Sequence, residues 1–264
     1  TREGSDLILT GPDGTEIVVI GFFSTENPPT LMTEGGAAIA PDLAGRLAGS
    51  LTPEQYAQAA PGGAANQPIG RVETSEGEVT VVRADGSTQT LQAGDPVFQG
   101  DVLETADGAT LGIIFIDDTT FSLDEGGRMV LDELVFNPDT HEGSSAFTVV
   151  QGVFSFVSGQ IAKSGDEAMV VRTPVATIGI RGTQVAVKAG QEGEENVITL
   201  LQEEDGTTGE IIITNAGGTQ VLNQANQSVT VTSYFAVPPQ PTVLTDQQVR
   251  EQYGESLDTL PQVS

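Results

Sequence analysis

The sequence contains no cysteine and no tryptophan, and it has a single histidine, His141. Without cysteine there are no disulfides and no thiolate metal sites. A Cys–His catalytic pair is impossible, and a Ser–His–Asp triad would have to use His141, which lies in the polar stretch "NPDTHEGSS". No nucleophile elbow, zinc-protease motif or phosphate-binding loop is present. We therefore expect a protein that is not an enzyme and that needs no organic cofactor.

Basic residues are also scarce. Ten Lys and Arg stand against 37 Asp and Glu, which gives a formal net charge of −27. A field of that sign repels phosphate, so neither nucleic acid nor an anionic membrane surface is an expected partner. A solvated acidic surface is one interpretation of this composition, and divalent-cation binding is the other. No apolar run reaches the ~18–20 residues that a membrane-spanning helix needs.

Glycine, threonine and valine are abundant, and they occur in short strand-like runs. Examples are "EVTVVRA", "TLGIIFI" and "GEIIITNA", which are bounded by turns such as "ADGS" and "NAGGT". Many short strands with period-two alternation and turn residues between them predict an all-β fold. We expect an antiparallel β-sandwich or roll, with β-solenoid-like stacking as the alternative and one or two short helices.

The helical signals are confined to short segments. In "LTPEQYAQAA", Thr52 is a candidate N-cap and Pro53 stands at the first helical position. In "LTDQQVREQYG", Thr245 or Asp246 is the candidate cap. Gly254 is the expected end of that second helix, because glycine commonly follows the last helical residue.

Composition divides the chain into four parts. Residues 57–69 are uncharged and rich in Ala, Gly and Pro, which predicts a linker. A proline-rich, extended stretch begins at residue 236. The predicted parts are an N-terminal prefix with a β-hairpin and a short helix (1–56), the linker (57–69), a main β domain (70–235), and a Pro-rich exit with a short helical tail (236–264).

The segment "DDTTFSLDEGG", residues 117–127, places four acids and two glycines within eleven residues. Hard cations bind clustered oxygen atoms, so the segment is a candidate calcium site. Its spacing matches neither an EF-hand loop nor the nonapeptide of calcium-binding β-rolls, and a turn with solvated acids is the alternative. The candidate ligands are Asp117, Asp118, Asp124 and Glu125.

The stretch "VRTPVATIGIRGT" otherwise has the pattern of a buried strand, yet it holds two of the ten basic residues. Proline removes a ladder hydrogen bond, so Pro174 is expected at a strand start, an edge or a bulge. Gly179 and Gly182 would permit a bend or a close backbone contact. Arg181 is expected to act as a structural clamp on a carboxylate or on turn carbonyls, because acids greatly outnumber bases in this sequence.

Residues 70–235 resemble a FecR-family domain. Two Gly-Asp pairs, at 94–95 and 100–101, precede a strand, the "DDTT" turn and a second strand, as in the family's pattern. The family signature R-T-P-x-A-x-x-G-x-R-G-T follows. Its residues in this sequence are Arg172, Thr173, Pro174, Gly179, Arg181, Gly182 and Thr183.

The FecR resemblance implies a periplasmic module. The best-known members of the family are membrane-spanning regulators that relay a signal from a siderophore receptor to a sigma factor. This sequence shows neither the membrane helix nor the cytoplasmic segment of such a regulator. A FecR-type signalling or sensing role is therefore the alternative hypothesis.

The prefix "SDLILTGPDGTEIVVIGFF" resembles the N-terminus of very large bacterial surface proteins that leave through type I secretion. Such proteins are acidic and poor in cysteine. The main hypothesis is therefore a non-enzymatic, extracellular or cell-surface module that acts in assembly or anchoring. We expect its partner to be a protein, including a second copy in a homo-oligomer or filament, through exposed strand edges.

Overall fold

The structure, a computed structural model, describes residues 67–165, 168–203 and 205–263, together with short strands between residues 2 and 39. Within the prefix, the strands Asp6–Thr10 and Glu16–Val19 form an antiparallel hairpin with Leu9 opposite Ile17. The helix expected from Thr52 lies outside the described residues. The strands of this part are β1 (Arg2–Glu3), β2 (Asp6–Thr10), β3 (Glu16–Val19), β4 (Leu31–Met32) and β5 (Ala38–Ile39).

From Gly70 the chain is mostly strand, which confirms the predicted all-β fold. The strands are β6 (Gly70–Glu76), β7 (Val79–Val82), β8 (Thr88–Thr90), β9 (Pro96–Val97), β10 (Val102–Thr105), β11 (Thr110–Phe115), β12 (Thr120–Leu123), β13 (Arg128–Asn137), β14 (Glu142–Val157), β15 (Met169–Arg172), β16 (Thr177–Arg181), β17 (Gln184–Ala189), β18 (Asn196–Leu201), β19 (Glu210–Asn215), β20 (Gly218–Leu222), β21 (Gln227–Val231) and β22 (Thr242–Val243). Their pairings are antiparallel, except that β14 and β15 run parallel.

These strands form two facing layers that share the long strand β14. The first layer has the order β8-β7-β10-β13-β14-β15-β16-β19-β20. The second has the order β9-β6-β11-β12-β14-β17-β18-β21-β22. β14 changes layer at Gly152, whose φ is +109° and where a Cβ would lie 2.6 Å from the Cα of Gly127. The result is an open, sandwich-like arrangement.

The core lies between the two layers. Phe154 and Phe156 are fully buried on one face of β14, as their spacing of two residues predicts. The ring centroid of Phe121 lies 5.3 Å from that of Phe154 and 5.8 Å from that of Phe156, in stacked geometry. Phe147, from the part of β14 in the first layer, lies 6.2 Å from Phe121. These rings join the layers into one core.

Helix α1 (Asp246–Thr259) packs on the outer face of the second layer. Thr245 is its N-cap, and its Oγ1 accepts from the backbone N–H of Gln248 at 3.2 Å in a capping box. The prediction that Gly254 ends this helix is wrong. Tyr253 and Ser256, on either side of it, are both held against the sheet, and this packing outweighs the low helix propensity of glycine. In the described part of the chain no helix is long and apolar enough to cross a membrane.

Candidate functional site

The signature segment forms a hairpin rather than one continuous strand. The turn between β15 and β16 is closed by Thr173, whose backbone N–H donates to the carbonyl of Ala176 at 2.8 Å. The Thr173 Oγ1 in return accepts from the Ala176 N–H at 3.2 Å. Pro174 therefore lies within the turn, and its expected place at a strand start, edge or bulge is corrected. Proline fits there because the residue leaves the ladder and no amide is lost.

Gly182 and Thr183 carry the chain from the first layer to the second. Gly182 has a φ of +50°, so it supplies the bend between β16 and β17. Thr183 is fully buried, and its backbone N–H donates to the Oγ of Ser158 at 2.7 Å. Unlike Gly182, Gly179 does not need to be glycine: a Cβ placed there would have the carbonyl oxygen of Ile212 as its nearest atom, at 3.9 Å. Its surroundings are those of an ordinary strand residue.

Asp117 anchors a buried turn beside this crossing. Its carboxylate accepts from the Thr119 Oγ1 at 2.8 Å and from the Thr119 backbone N–H at 3.2 Å. The Thr119 Oγ1 accepts from the N–H of Gly159 at 3.0 Å. Gly159 has no space for a Cβ, which would collide with the Asp117 carbonyl. Burial raises the pKa of Asp117, and the hydrogen bonds from Thr119 oppose that shift. The carboxylate therefore holds the backbone in place.

The four calcium candidates divide between two turns. Asp117 and Asp118 precede β12, whereas Asp124 and Glu125 follow it. Among the residues with described positions, no three His, Cys, Asp or Glu side chains form a group that could hold a metal ion. Calcium binding stays a prediction, without a ligand set in the described residues.

Thermal unfolding with calcium and with a chelator tests the calcium hypothesis. A ligand that binds only the native state raises the melting temperature by mass action. Because the candidate acids stand in separate turns, we expect the same melting temperature in both buffers. A higher melting temperature in the calcium buffer would instead indicate a site. If Asp124→Asn abolished that increase, the site would lie at the second turn.

Arg181 contacts a carboxylate across the ladder. It lies opposite Glu210 in the register of β16 and β19, and its Nη1 is 3.2 Å from the Glu210 Oε1. The Arg181 side chain is 46% exposed, so the pair is screened by solvent. Gly209 packs against the carbonyls of Arg181 and Gly182 and leaves no room for a Cβ. The clamp role of Arg181 remains a prediction.

Arg181→Lys is expected to lower the free energy of unfolding by less than ~1 kcal/mol, because the ion pair is exposed. Lysine keeps the charge but loses the planar fork of the guanidinium. Urea unfolding at low and high salt measures the loss, which should shrink as salt rises. A variant with wild-type stability that fails in partner binding would make Arg181 a contact residue instead.

The second Gly-Asp pair makes a buried ion pair in the turn before β10. Gly100 has a φ of +88° and turns the chain. The Asp101 Oδ2 accepts from the Arg83 Nη1 at 2.6 Å and from the backbone N–H of Phe98 at 2.8 Å. Burial raises the pKa of Asp101, while the Phe98 hydrogen bond and the charge of Arg83 oppose it. The first Gly-Asp pair is a similar turn, in which Asp95 accepts from a backbone N–H.

Helix α1 covers side chains that sequence reasoning missed. The hydroxyl of Tyr253 lies 3.0 Å from the Oγ1 of Thr199, and the Oγ of Ser256 lies 2.9 Å from that of Ser122. Burial raises the pKa of Tyr253 to about 12. Hydroxyl residues that alternate with core residues are typical of a solvated sheet face, so nothing local indicated that a helix covers them.

Open clefts flank α1 on two sides. One, of about 450 Å³, contains Lys163 with Glu203 and also the residues that follow the helix. The other, of about 360 Å³, contains Asp124, Glu255 and Arg250. The pKa of Asp124 is raised to about 7, chiefly by burial and then by the charge of Glu255. In both clefts the acidic residues outnumber the basic ones, so each cleft carries a net negative charge.

The FecR protein family model matches residues 101–203. This range contains the buried Asp101, the acidic turns and the whole signature. The match confirms the FecR resemblance over these residues and covers less than half of the chain. The resemblance of the prefix to surface-protein N-termini remains a prediction. No curated protein matches the chain.

Solved structures resemble the chain only in part. Two crystal structures of a proposed anti-sigma factor from Parabacteroides distasonis align with TM-scores of 0.44 and 0.43 at 16% identity. Each alignment covers 56% of this chain and 62% of the other, so this chain spans less than two thirds of that protein's length. A cell surface anchoring domain aligns with a TM-score of 0.23 at 28% identity, over 24% of this chain and 83% of the domain.

Proposed function

We propose that this chain is a non-enzymatic protein-interaction module of the bacterial cell envelope, with a FecR-type signalling or sensing role in the periplasm. The observation that carries the proposal is the family match over residues 101–203, which includes the complete signature. The match favours the signalling role. Surface assembly or anchoring was the main hypothesis from the sequence. The surface role rests on the prefix, which no family model supports.

The geometry supports protein binding at the β20 edge of the first layer. Among the described strands, β20 pairs with β19 alone. Its other side therefore presents backbone N–H and C=O groups to which an extended segment of a partner can add as a strand. Three large apolar side chains of this region are exposed: Val221 at 39%, Phe235 at 44% and Val237 at 70%.

Asn215 orders part of this surface before any partner binds. Its Nδ2 donates to the carbonyls of Ser233 at 3.1 Å and Ala236 at 2.8 Å, which ties the loop after β21 to the β19–β20 turn. Within that loop, the rings of Tyr234 and Phe235 meet edge to face at 5.3 Å. Side chains that are already ordered lose less entropy when a partner binds, which favours binding.

The surroundings of the histidine support the non-enzymatic part of the proposal. His141 is exposed in the β13–β14 turn with a φ of +59°. Its ring centroid lies 6.5 Å from that of Phe136, in stacked geometry. This is the environment of a hairpin-turn residue rather than of a general base next to a nucleophile.

Deletion of the gene tests the signalling role. If the chain relays a receptor signal, its loss should change the transcription of an uptake operon, and expression of the intact chain should restore it. Unchanged transcripts under inducing and repressing conditions would contradict signalling. Localisation of the chain by fractionation and by external protease would separate the periplasm from the cell surface.

Assembly through strand edges is the second candidate, and the open edge of β20 favours it as well. If copies join edge to edge, light scattering should show a mass that grows with protein concentration. Val221→Lys, which places a charge on that edge, should then return the protein to a monomer. A strict monomer at all concentrations would count against assembly.

A further inference from the structure

We propose that this chain forms a closed dimer with twofold symmetry, in which β20 of one copy pairs antiparallel with β20 of a second copy. The inference rests on the proposed binding at the β20 edge, and it names a second copy as the partner. The surface involved, here called the uncharged edge, consists of β20, residues 232–241 after β21, and β22.

Charge is absent from a long part of the sequence. Charged residues make up 18% of the chain, yet none occurs from residue 211 to residue 245, a range that includes the whole uncharged edge. Charge returns at its borders. There the Glu192 Oε2 accepts from the Tyr234 N–H at 2.9 Å, and the Asp246 Oδ1 accepts from the Asn226 Nδ2 at 2.9 Å. A chain with a net charge of −27 therefore has, in the uncharged edge, a surface whose own residues carry no charge.

The uncharged edge is also open and apolar. Four large apolar side chains are exposed on it: Val221, Phe235, Val237 and Val243. Val237 lies beside β20, because a Cβ placed at Gly218 would be 3.8 Å from its Cγ1. Natural edge strands are commonly protected by charges, proline or bulges, whereas β20 has no charge, no proline and no break in its register with β19. An exposed apolar edge of this kind is typical of a surface that another chain covers.

Charge explains why the partner is a second copy. Two chains of this net charge repel one another, but charges more than ~8 Å apart are largely screened at physiological salt. The repulsion therefore depends mainly on the charges at the contact, and the uncharged edge brings none of its own. A basic partner would instead be drawn to the acidic faces of the chain, and the uncharged edge would add nothing to that attraction.

Symmetry explains why the assembly closes after two copies. Antiparallel pairing of a strand with an identical strand places a twofold axis between them, so each copy uses the same edge and the first layers join into one continuous sheet. The edge strand at the other end of the described layer, β8, is protected by charge. Arg83 Nη2 donates to the Gln89 Oε1 of β8 at 3.3 Å, and Asp85 lies in the turn before it. A filament would need that protected edge as well.

Sedimentation equilibrium of the full chain over a range of concentrations tests the dimer. The mass should level off at twice that of one chain. Val221→Lys places like charges where the two copies meet, so it should raise the dissociation constant by at least ~100-fold. The matched control is Thr90→Lys on β8, which should change that constant by no more than about twofold. A monomer at all concentrations, a mass that keeps rising, or equal effects of the two lysines would overturn the proposal.

The salt dependence of the dissociation constant tests the charge argument. Salt screens the repulsion that remains between two acidic chains, so the dimer should tighten several-fold between low salt and ~0.5 M salt. Thr90→Lys should show the same dependence as the wild type. Weaker association in high salt would mean that opposite charges hold the copies together, and it would contradict an uncharged contact.

Single cysteines test the pairing independently of any effect of lysine on folding. The chain has no cysteine, so Thr219→Cys, Gln220→Cys and Val221→Cys each introduce one thiol. Antiparallel pairing about a twofold axis brings the residue nearest the axis to within ~4.5–5.5 Å of its counterpart, Cα to Cα, which a disulfide can bridge. Mild oxidation should link at least one of the three variants into a dimer and leave Thr90→Cys unlinked. No link at any of the three, or equal linking at position 90, would contradict the pairing.

Failure of the dimer and failure of the proposed function give different results. A wild-type monomer that still crosslinks to an envelope protein through Val221 would overturn the dimer and leave the interaction module in place. A dimer whose gene deletion leaves transcription unchanged would contradict the signalling role and leave the dimer in place.

Discussion

Phe121→Ala is expected to lower the free energy of unfolding by about 3–5 kcal/mol, the range for removal of a fully buried aromatic side chain. Phe121 is 1% exposed, and its ring contacts those of Phe147, Phe154 and Phe156. The change would open a cavity where the two layers meet, which neighbouring side chains cannot fill without leaving their own contacts. Urea unfolding followed by circular dichroism measures the loss.

The matched control is Phe235→Ala. Phe235 is 44% exposed and lies outside the core. Its removal should change the free energy of unfolding by no more than about 0.5 kcal/mol, as is usual for surface substitutions. Similar losses for the two variants would show that the aromatic stack does not hold the layers together.

Arg83→Met is expected to cost about 3–5 kcal/mol at neutral pH, because it leaves a buried carboxylate without its cation. Asp101 is 1% exposed and Arg83 is 15% exposed, so solvent screens this ion pair far less than the Arg181–Glu210 pair. Methionine retains much of the length of the arginine side chain, but it also removes the hydrogen bonds of Arg83 to the Pro96 carbonyl and to Gln89, so the pH dependence is needed to isolate the charge. Chemical unfolding of the variant and of the wild type gives the difference.

The pH dependence of this loss identifies its cause. Burial raises the pKa of Asp101 in the native protein, so the native state binds a proton more readily than the unfolded state. This carboxyl therefore makes stability fall as pH rises above the ordinary Asp pKa. Without Arg83 the pKa rises further, so the fall extends to higher pH and its total becomes larger. The deficit of Arg83→Met should thus shrink at acidic pH.

A double variant checks this interpretation. In Arg83→Met with Asp101→Asn no buried charge remains, so part of the stability should return and the additional pH dependence should disappear. A deficit of Arg83→Met that is the same at neutral and at acidic pH would contradict a charge effect, because protonation of Asp101 removes the buried charge.

Much of the fold could be read from the sequence because its signals are local. The spacing of Phe154 and Phe156 is that of one strand face, and both are buried; a Gly-Asp pair is typical of a turn, and in both pairs Asp accepts from a backbone amide. The helix end predicted at Gly254 is wrong because the helix continues to Thr259, where Ser256 makes a tertiary contact with Ser122. Residues 134 positions apart leave no local pattern that predicts such a contact.

The candidate site was harder to predict for the same reason. Eleven residues with four acids look like a cluster in the sequence, but β12 separates the two pairs. Four extended residues span about 13 Å, too far for one cation to bind both ends. The signature likewise looked like one strand, because its alternation continues through residues 173–176, where hydrogen bonds of Thr173 close a turn.

The central claim is that this chain acts by binding a protein partner at the β20 edge, and in-cell photo-crosslinking tests it most directly. A photo-reactive residue at Val221 should trap one defined envelope protein, or a second copy of the chain if assembly is the function. The same residue at Lys188, an exposed position of β17 whose backbone pairs with both β14 and β18, should trap neither. Equal products from both positions, or none from Val221, would contradict the claim.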